Sequence, residues 1–323
     1  MNPTGGHTTA LSPDACQTAI DGVAWESYMR EQQPSYLSAT DGFFFQQQTA
    51  NEMVYSWDED SNVGAFLETG EQETISSDDT FIGNTKTARQ RKWVKQIPVS
   101  FEAFKTDQTG INKRAKIGAQ IGDRAKLTQD KNTILDTYAD AATGAVSTTP
   151  DGQNWGSNSH TTLKGYTVDN LETAALNADG LWTTVQSLAN QKAQDGEAGS
   201  QVFEGIVVPF ILLKTVHETL DSELAPFSGE NQENFFNTVY GSGIRIKASI
   251  FLGSTYNSNS NANTSYHVLS RNQQASRRVL SGMSMTIIAP EYTANDTYIE
   301  RVRYMESHFI ESWFGYVHNS GTA

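Results

Sequence analysis

The chain contains a single cysteine, Cys16, in 323 residues. An intramolecular disulfide framework is therefore impossible, a cysteine-based zinc site lacks its ligands, and nothing points to an oxidising compartment. No apolar run approaches the roughly eighteen residues that a membrane span needs. The opening "MNPTGGHTTALSPD" has neither the basic nor the apolar region of a secretory signal. Positive charge is scarce too: 23 Lys and Arg stand against 37 Asp and Glu, for a net charge of −14. A chain of that sign repels phosphate as a whole, which argues against a general nucleic-acid binder. Apolar residues make up only 37 %, and mean hydropathy is −0.49. The core is thin for the length, so much of the chain lies on surfaces or in arms. Aromatic content of 10 % nevertheless separates it from disordered chains, which are poor in aromatics.

Motifs that carry chemistry are missing as well. The histidines (His7, His160, His217, His267, His308 and His318) show no metal-ligand spacing. His217, beside Leu220 in a helical pattern, reads as a packing residue. "GSGIRI" (241–246) lacks the third glycine of a dinucleotide fingerprint, and there is no phosphate loop and no Gly-x-Ser-x-Gly elbow. Pairs of acids abound, as chance dictates in an acidic chain. Asn263 and Asn295 open glycosylation triplets in an Asn-rich sequence, a weak signal. The reading is a non-enzyme without metal or cofactor.

What the sequence does have is segregated charge. From Asp58 to Asp79 there are eight acids, Glu68, Glu71 and Glu73 among them, and no Lys or Arg. "KTARQRKWVK" (86–95) then places Lys86, Arg89, Arg91, Lys92 and Lys95 in ten positions. Three readings fit: a solvated strand face, a nucleic-acid patch whose field the neighbouring acids would cancel, or pairing between copies of the chain. Residues 60–97 read as a long two-stranded excursion, with Gly64, Gly70 and Gly83 as turn formers.

Residues 1–40 form a polar arm. The spacing of Ile117, Ile121, Ala125, Thr128, Leu135, Ala139 and Ala142 predicts a helix over 111–143, stopped at Gly144. Six cations lie in its first two-thirds, on a strut whose polar face meets solvent or, weakly, a polyanion. "VDNLETAALNADGLWTTVQSLANQKAQDGE" (168–197) reads as two helical pieces, the second capped by Asp179 with Trp182, Val185 and Leu188 inward. "FEGIVVPFILLKTVHETL" (203–220) reads as a buried strand, a break at Pro209 and a helix. "IRIKASIFL" (244–252) alternates like a strand, as do Val279, Met283, Met285 and Ile287. "NSNSNANTS" (257–265) reads as an exposed loop, and "YIERVRYMESHFIESWFGYV" (298–317) as a long closing strand.

This order of elements resembles the major capsid protein of tailed viruses, the Hong Kong 97 fold, and most closely the Mu-like major head subunit group. "PDGQNWGSNSH" (150–160) is similar to that group's loop, "IVVPFILLKTVHETLDSE" to its strand and Val-Val-Pro step, and "TYIERVRYMESHFIESWFGYV" to its last strands. The resemblance, over roughly residues 60–320, implies an α+β capsid fold. Its parts would be an N-terminal arm (1–40), a peripheral strand segment (41–61), an extension-loop hairpin (62–97) and a peripheral domain with a long spine helix (98–165, helix 111–143). An axial domain (166–290) and closing peripheral strands (291–323) would complete it.

The function implied is a self-assembling icosahedral shell enclosing double-stranded DNA, with subunits in hexamers and pentamers. Partners would be the packaged DNA by weak non-specific contact, a portal, and a separate scaffold or cement protein, with no membrane. The shell would assemble in the host cytoplasm and reside in the virion. Glu68, Glu71, Glu73, Arg89, Arg91, Lys92 and Lys95 are the candidates for inter-subunit contact. Some members weld their shells with a Lys–Asn isopeptide bond catalysed by Glu. Here Lys86, Lys92, Lys95 and Glu306 are suitably placed, but Ile299 stands where the Asn would be, which implies non-covalent contacts. An encapsulin-type compartment around a cargo enzyme is the alternative within the fold. An enzyme, or a tail protein with repeats or heptads, lacks sequence support.

Overall fold

A computed structural model describes residues 24, 26–28, 35–60, 82–100, 110–223, 234–240, 243–270, 275–280, 286–292 and 297–321. Its first elements are strands β1 (Phe45–Ala50), β2 (Val54–Asp60), β3 (Ile82–Arg89) and β4 (Arg91–Ser100), then helix α1 (Gly110–Asp136). Short strands β5 (His160–Thr161), β6 (Thr167–Val168) and β7 (Leu171–Glu172) lead to α2 (Ala178–Ala189), β8 (Gly205–Pro209), α3 (Leu213–Leu220) and α4 (Phe235–Tyr240). Strands β9 (Arg245–Ser249), β10 (Tyr266–Leu269), β11 (Ala275–Leu280), β12 (Thr286–Tyr292), β13 (Thr297–Ile310) and β14 (Tyr316–Asn319) follow.

The chain divides into two compact units. One comprises Met1–Gln32, Arg91–Gln129 and Leu280–Glu306; the other comprises Gln33–Gln90, Asp130–Val279 and Ser307–Ala323. In the first, β13 is flanked by antiparallel β4 and β12, with Val302 opposite Lys95 on one side and Ile287 on the other. Ile121 and Ala125 of α1 pack on Val302, with Ile97 and Ile117 at the edge and Ala24 and Tyr28 against the helix. Gly122 permits that last approach, because a β-carbon there would collide with the Ala24 carbonyl oxygen. Ser27 Oγ donates to Asp123, and Tyr28 Oη donates to Gln129 Oε1 at 2.5 Å.

The second unit is built on a sheet ordered β7-β14-β10-β8-β9, with β8–β9 and β7–β14 parallel and the rest antiparallel. Alternation along each strand sends side chains to opposite faces, and both faces are covered. Ile206, Val208, Tyr266, Val268 and Val317 join Leu181, Val185 and Leu188 of α2 and Val216 and Leu220 of α3. Val207, Leu269 and Tyr316 join an aromatic cluster of Phe43, Phe44, Phe45, Tyr138, Trp155 and Trp313.

Several expectations are corrected. The helix expected to reach 143 ends at Asp136, and residues 137–143 form turns. The cause is Asp140, whose carboxylate accepts from the backbone N–H groups of Ala145, Val146 and Ser147 at 2.8, 2.7 and 2.8 Å. A side chain that binds backbone donors ahead of it competes with helix continuation. Gly144 then turns the chain in the left-handed region, φ +58°. Helix α2 is a single piece capped by Asn177, whose Oδ1 accepts from Gly180 N–H, while residues before it carry β6 and β7. Trp182 is 38 % exposed instead of inward, resting edge-on against Phe235.

His217 is exposed and pairs with Asp221 four residues on, instead of packing in the core. The strand expected at 244–252 stops at Ser249, whose hydroxyl accepts from Phe251 N–H and starts a short 3₁₀ turn. In the Asn-rich loop, Asn257 and Ala262 are buried, and Asn259 Nδ2 donates to the Ala139 carbonyl at 2.7 Å. The closing run is two strands, β13 and β14, separated by a turn.

Asp140→Ala removes the acceptor of three backbone donors, of which Ser147 N–H belongs to a buried residue. The expected loss is about 1–3 kcal/mol, read as a lower urea midpoint at unchanged m-value. Asp140→Asn, which keeps one oxygen, should lose less.

Candidate assembly surface

The charge-segregated stretch forms two structures. β2 and β3 make an antiparallel hairpin in which Val54 faces Arg89, Tyr55 faces Ala88 and Trp57 faces Lys86. The sequence reading carried the excursion on to residue 97. Instead, Gln90 is buried, its N–H bonded to the Met53 carbonyl at 2.9 Å, and β4 leaves the hairpin to pair along ten residues of β13. The basic run is thereby divided. Lys86 and Arg89 lie on the hairpin strand, while Arg91, Lys92 and Lys95 lie on β4 in the other unit. Arg89, Arg91, Lys92 and Lys95 are all exposed. Glu68, Glu71 and Glu73 lie outside the described residues.

The hairpin's base is tied to its own unit by aromatic and buried polar contacts. Tyr55 and Trp57 stack, and both rings meet Phe309 at 5.6 and 4.6 Å. Lys86 Nζ donates to Thr148 Oγ1. Glu59, read from the sequence as one more acid of an exposed arm, is 5 % exposed. Its carboxylate accepts from Gln194 Nε2 at 2.5 Å and Asn84 Nδ2 at 3.3 Å. Burial pushes the Glu59 pKa up, and the negative charge of Asp151 adds to the rise against the lowering effect of the two amides.

Asp151 moves the other way. Burial alone would raise its pKa, but the bond and charge of His160, with bonds from Thr149 and the Gln153 N–H, bring it below the ordinary value. His160 is fully buried, with Nδ1 2.8 Å from Asp151 Oδ2, Nε2 3.1 Å from the Trp155 carbonyl, and its ring stacked on Trp313. The "PDGQNWGSNSH" motif thus forms a buried clamp. Among the described residues, no group of three His, Cys, Asp or Glu side chains is arranged to hold a metal ion.

On β4, alternation puts Trp93, Lys95 and Ile97 toward α1, where they line a groove of about 620 Å³ within the first unit. Ile121, Ala125 and Val302 form its apolar floor, and Trp93 stacks on Tyr304 at 6.3 Å between centroids. Lys95 is joined there by Arg124 of α1, and among the described residues that line the groove none is an acid. Arg124 was not among the candidates read from the sequence. Its signal was present in the helix stripe, since it precedes Ala125 and so sits beside the packed face. The geometry suits an extended segment bearing both apolar and acidic side chains.

No known family profile and no curated protein sequence matches this chain. Solved structures do. The capsid of an empty GTA particle superposes with a TM-score of 0.55 at 7 % identity, covering 90 % of this chain and 90 % of that one. The capsid of Ralstonia phage GP4 gives 0.53 at 11 % identity, covering 90 % and 94 %. A virus-like particle from Pyrococcus furiosus gives 0.51 at 9 % identity, covering 94 % and 98 %. The fold is of the Hong Kong 97 capsid type. Within this capsid-type fold, the groove beside Lys95 combines positive charge with apolar surface.

Glu59→Gln and Glu59→Ala separate the two roles of the hairpin anchor. Because the folded pKa is raised, the protonated form is the better-accommodated one, and stability falls as pH rises through that value. Glu59→Gln should remove that fall, which begins above the ordinary carboxyl value of 4.5, from the pH dependence of the melting temperature. Glu59→Ala, which strands two amide donors, should cost about 1–3 kcal/mol.

Proposed function

We propose that the chain is the major capsid protein of a tailed virus, related to the Mu-like head subunits, which assembles with itself into an icosahedral shell around double-stranded DNA. The observation that carries this reading is near end-to-end correspondence. The likeness to the capsid of Ralstonia phage GP4 spans 90 % of this chain and 94 % of that one. The charge pattern supports it, because an acidic chain that repels its own copies needs local complementarity to bring them together.

In this reading, residues 62–79 of one copy, with Phe66 and Leu67 beside Glu68, Glu71 and Glu73, lie against the exposed cations Arg89, Arg91, Lys92 and Lys95 of a neighbour. The groove beside Lys95 and Arg124 would receive the apolar residues. Each exposed pair contributes only about 0–1 kcal/mol. Such contacts set register and, repeated around a shell, sum to a stable assembly while single contacts stay reversible.

A second reading, a protein compartment around a cargo enzyme, is favoured by the likeness to the Pyrococcus furiosus virus-like particle. The polar N-terminal arm favours the viral reading. Purified particles decide between them: nuclease-protected DNA supports the virus, and a copurifying protein in its place supports the compartment.

Charge reversal tests the contact. Arg89→Glu, Arg91→Glu and Lys92→Glu together should abolish assembly in light scattering while shifting the melting temperature by only a few degrees. Adding Glu68→Lys, Glu71→Lys and Glu73→Lys to the same chain should restore it. Normal shells from the triple variant would refute the pairing.

A further inference from the structure

β10 and β14 are antiparallel neighbours within the sheet of the second unit, and their register sets His267 directly opposite His318. Both rings lie in the aromatic half of the core, on residues 1 % and 4 % exposed. Their Nδ1 atoms are 3.2 Å apart, and Tyr316 Oη is 2.7 Å from His267 Nδ1. The Tyr138 ring stands edge-on to His267 at 5.3 Å, and Trp155 lies flat on Tyr316 at 3.7 Å. Gly156 lets the loop press on His318, where a β-carbon would collide with the side chain.

The titratable groups facing the pair are therefore Tyr316 from β14 and Tyr138 from the turns after α1, both phenols. Among the described residues, no carboxylate bonds to either ring. Two neutral imidazoles with facing nitrogens share one proton, one ring donating and the other accepting. A proton added to the unprotonated Nε2 of the donating ring buries a cation with no anion beside it, and a second proton removes the Nδ1 acceptor and sets two N–H groups against each other. The other buried histidines differ in this respect. His160 has Asp151 Oδ2, and His308 has Asp136 Oδ2, at 2.8 Å. Burial holds His267 well below the ordinary imidazole range, with His318 adding to the effect, and burial brings His318 down to about 4. A cavity of about 270 Å³, lined also by Tyr138, Asn257, Asn259 and Ser265, reaches His318 and puts solvent-sized space against that member of the pair.

We propose that the His267–His318 pair is an acid-operated latch on β14: mild acid adds a proton to the pair and parts β14 from β10. Since both folded values lie below the ordinary one, stability is lost as pH falls below about 6.5, and the loss continues toward the folded values. The proposal is independent of what the protein encloses or whether it assembles.

Hydrogen exchange of the full chain at pH 7.5 and 5.0, corrected for intrinsic rates, tests it. Below about pH 6.5 the opening constant of residues 266–269 and 316–319 should rise about tenfold per pH unit for one proton taken up and about a hundredfold for two. Residues 178–189 of α2 should change less. In the His267→Gln, His318→Gln variant the acid dependence of these segments should disappear. Equal opening at both pH values in the parent chain, or an acid dependence that survives in the variant, overturns the latch. Should the variant fail to fold, histidine-ring NMR of the parent decides. Titration of both rings together with loss of β14 protection supports the latch, and rings that titrate while β14 stays protected overturn it.

Discussion

Burial of one sheet on both faces is the constraint from which the larger unit follows. With helices α2 and α3 on one side and an aromatic cluster on the other, no strand of β14, β10 or β8 has a face left for solvent. Every polar atom that enters this region then needs a partner, since an unsatisfied buried group costs about 1–3 kcal/mol. Side-chain amides meet much of that demand, although the indole N–H groups of Trp155 and Trp313 are buried without a hydrogen-bond partner. Gln191 bonds the Tyr316 carbonyl and the Gly315 N–H, Asn170 bonds the Trp155 carbonyl, and Asn319 bonds Thr184 and Tyr266. This is how a chain of 37 % apolar residues closes a core: large aromatics fill volume, and Asn and Gln close the backbone.

Parts of this architecture are legible in the sequence because they depend on local pattern. The apolar run before Pro209, the helix after it, and the start of α1 all follow from periodicity or from proline's missing N–H. The parts that are not legible depend on partners distant in sequence or on single side chains. Nothing in "KTARQRKWVK" marks Gln90 as the buried residue where one strand ends and another begins, because β4 owes its position to β13, some two hundred residues later. Glu59 has the same composition signal as its acidic neighbours but finds Gln194 and Asn84. Asp140 ends a helix whose apolar stripe continues past it.

The candidate surface shows the same division. That Arg89, Arg91, Lys92 and Lys95 are exposed was readable from residue type and density. That Lys95 shares a groove with Arg124 was not, since it requires α1 to lie on β4. Fold and surface also obey different rules. Identities of 7 to 11 % with capsid structures show that widely differing sequences adopt this fold. The charge segregation belongs to this chain and has to be explained by what its own surfaces meet.

Electron microscopy of the full chain expressed alone, with size-exclusion chromatography, tests the central claim most directly. Closed shells or rings of five or six subunits are the predicted result. A monodisperse monomer that persists through salt and concentration screens, and on coexpression with its genomic neighbours, would contradict it.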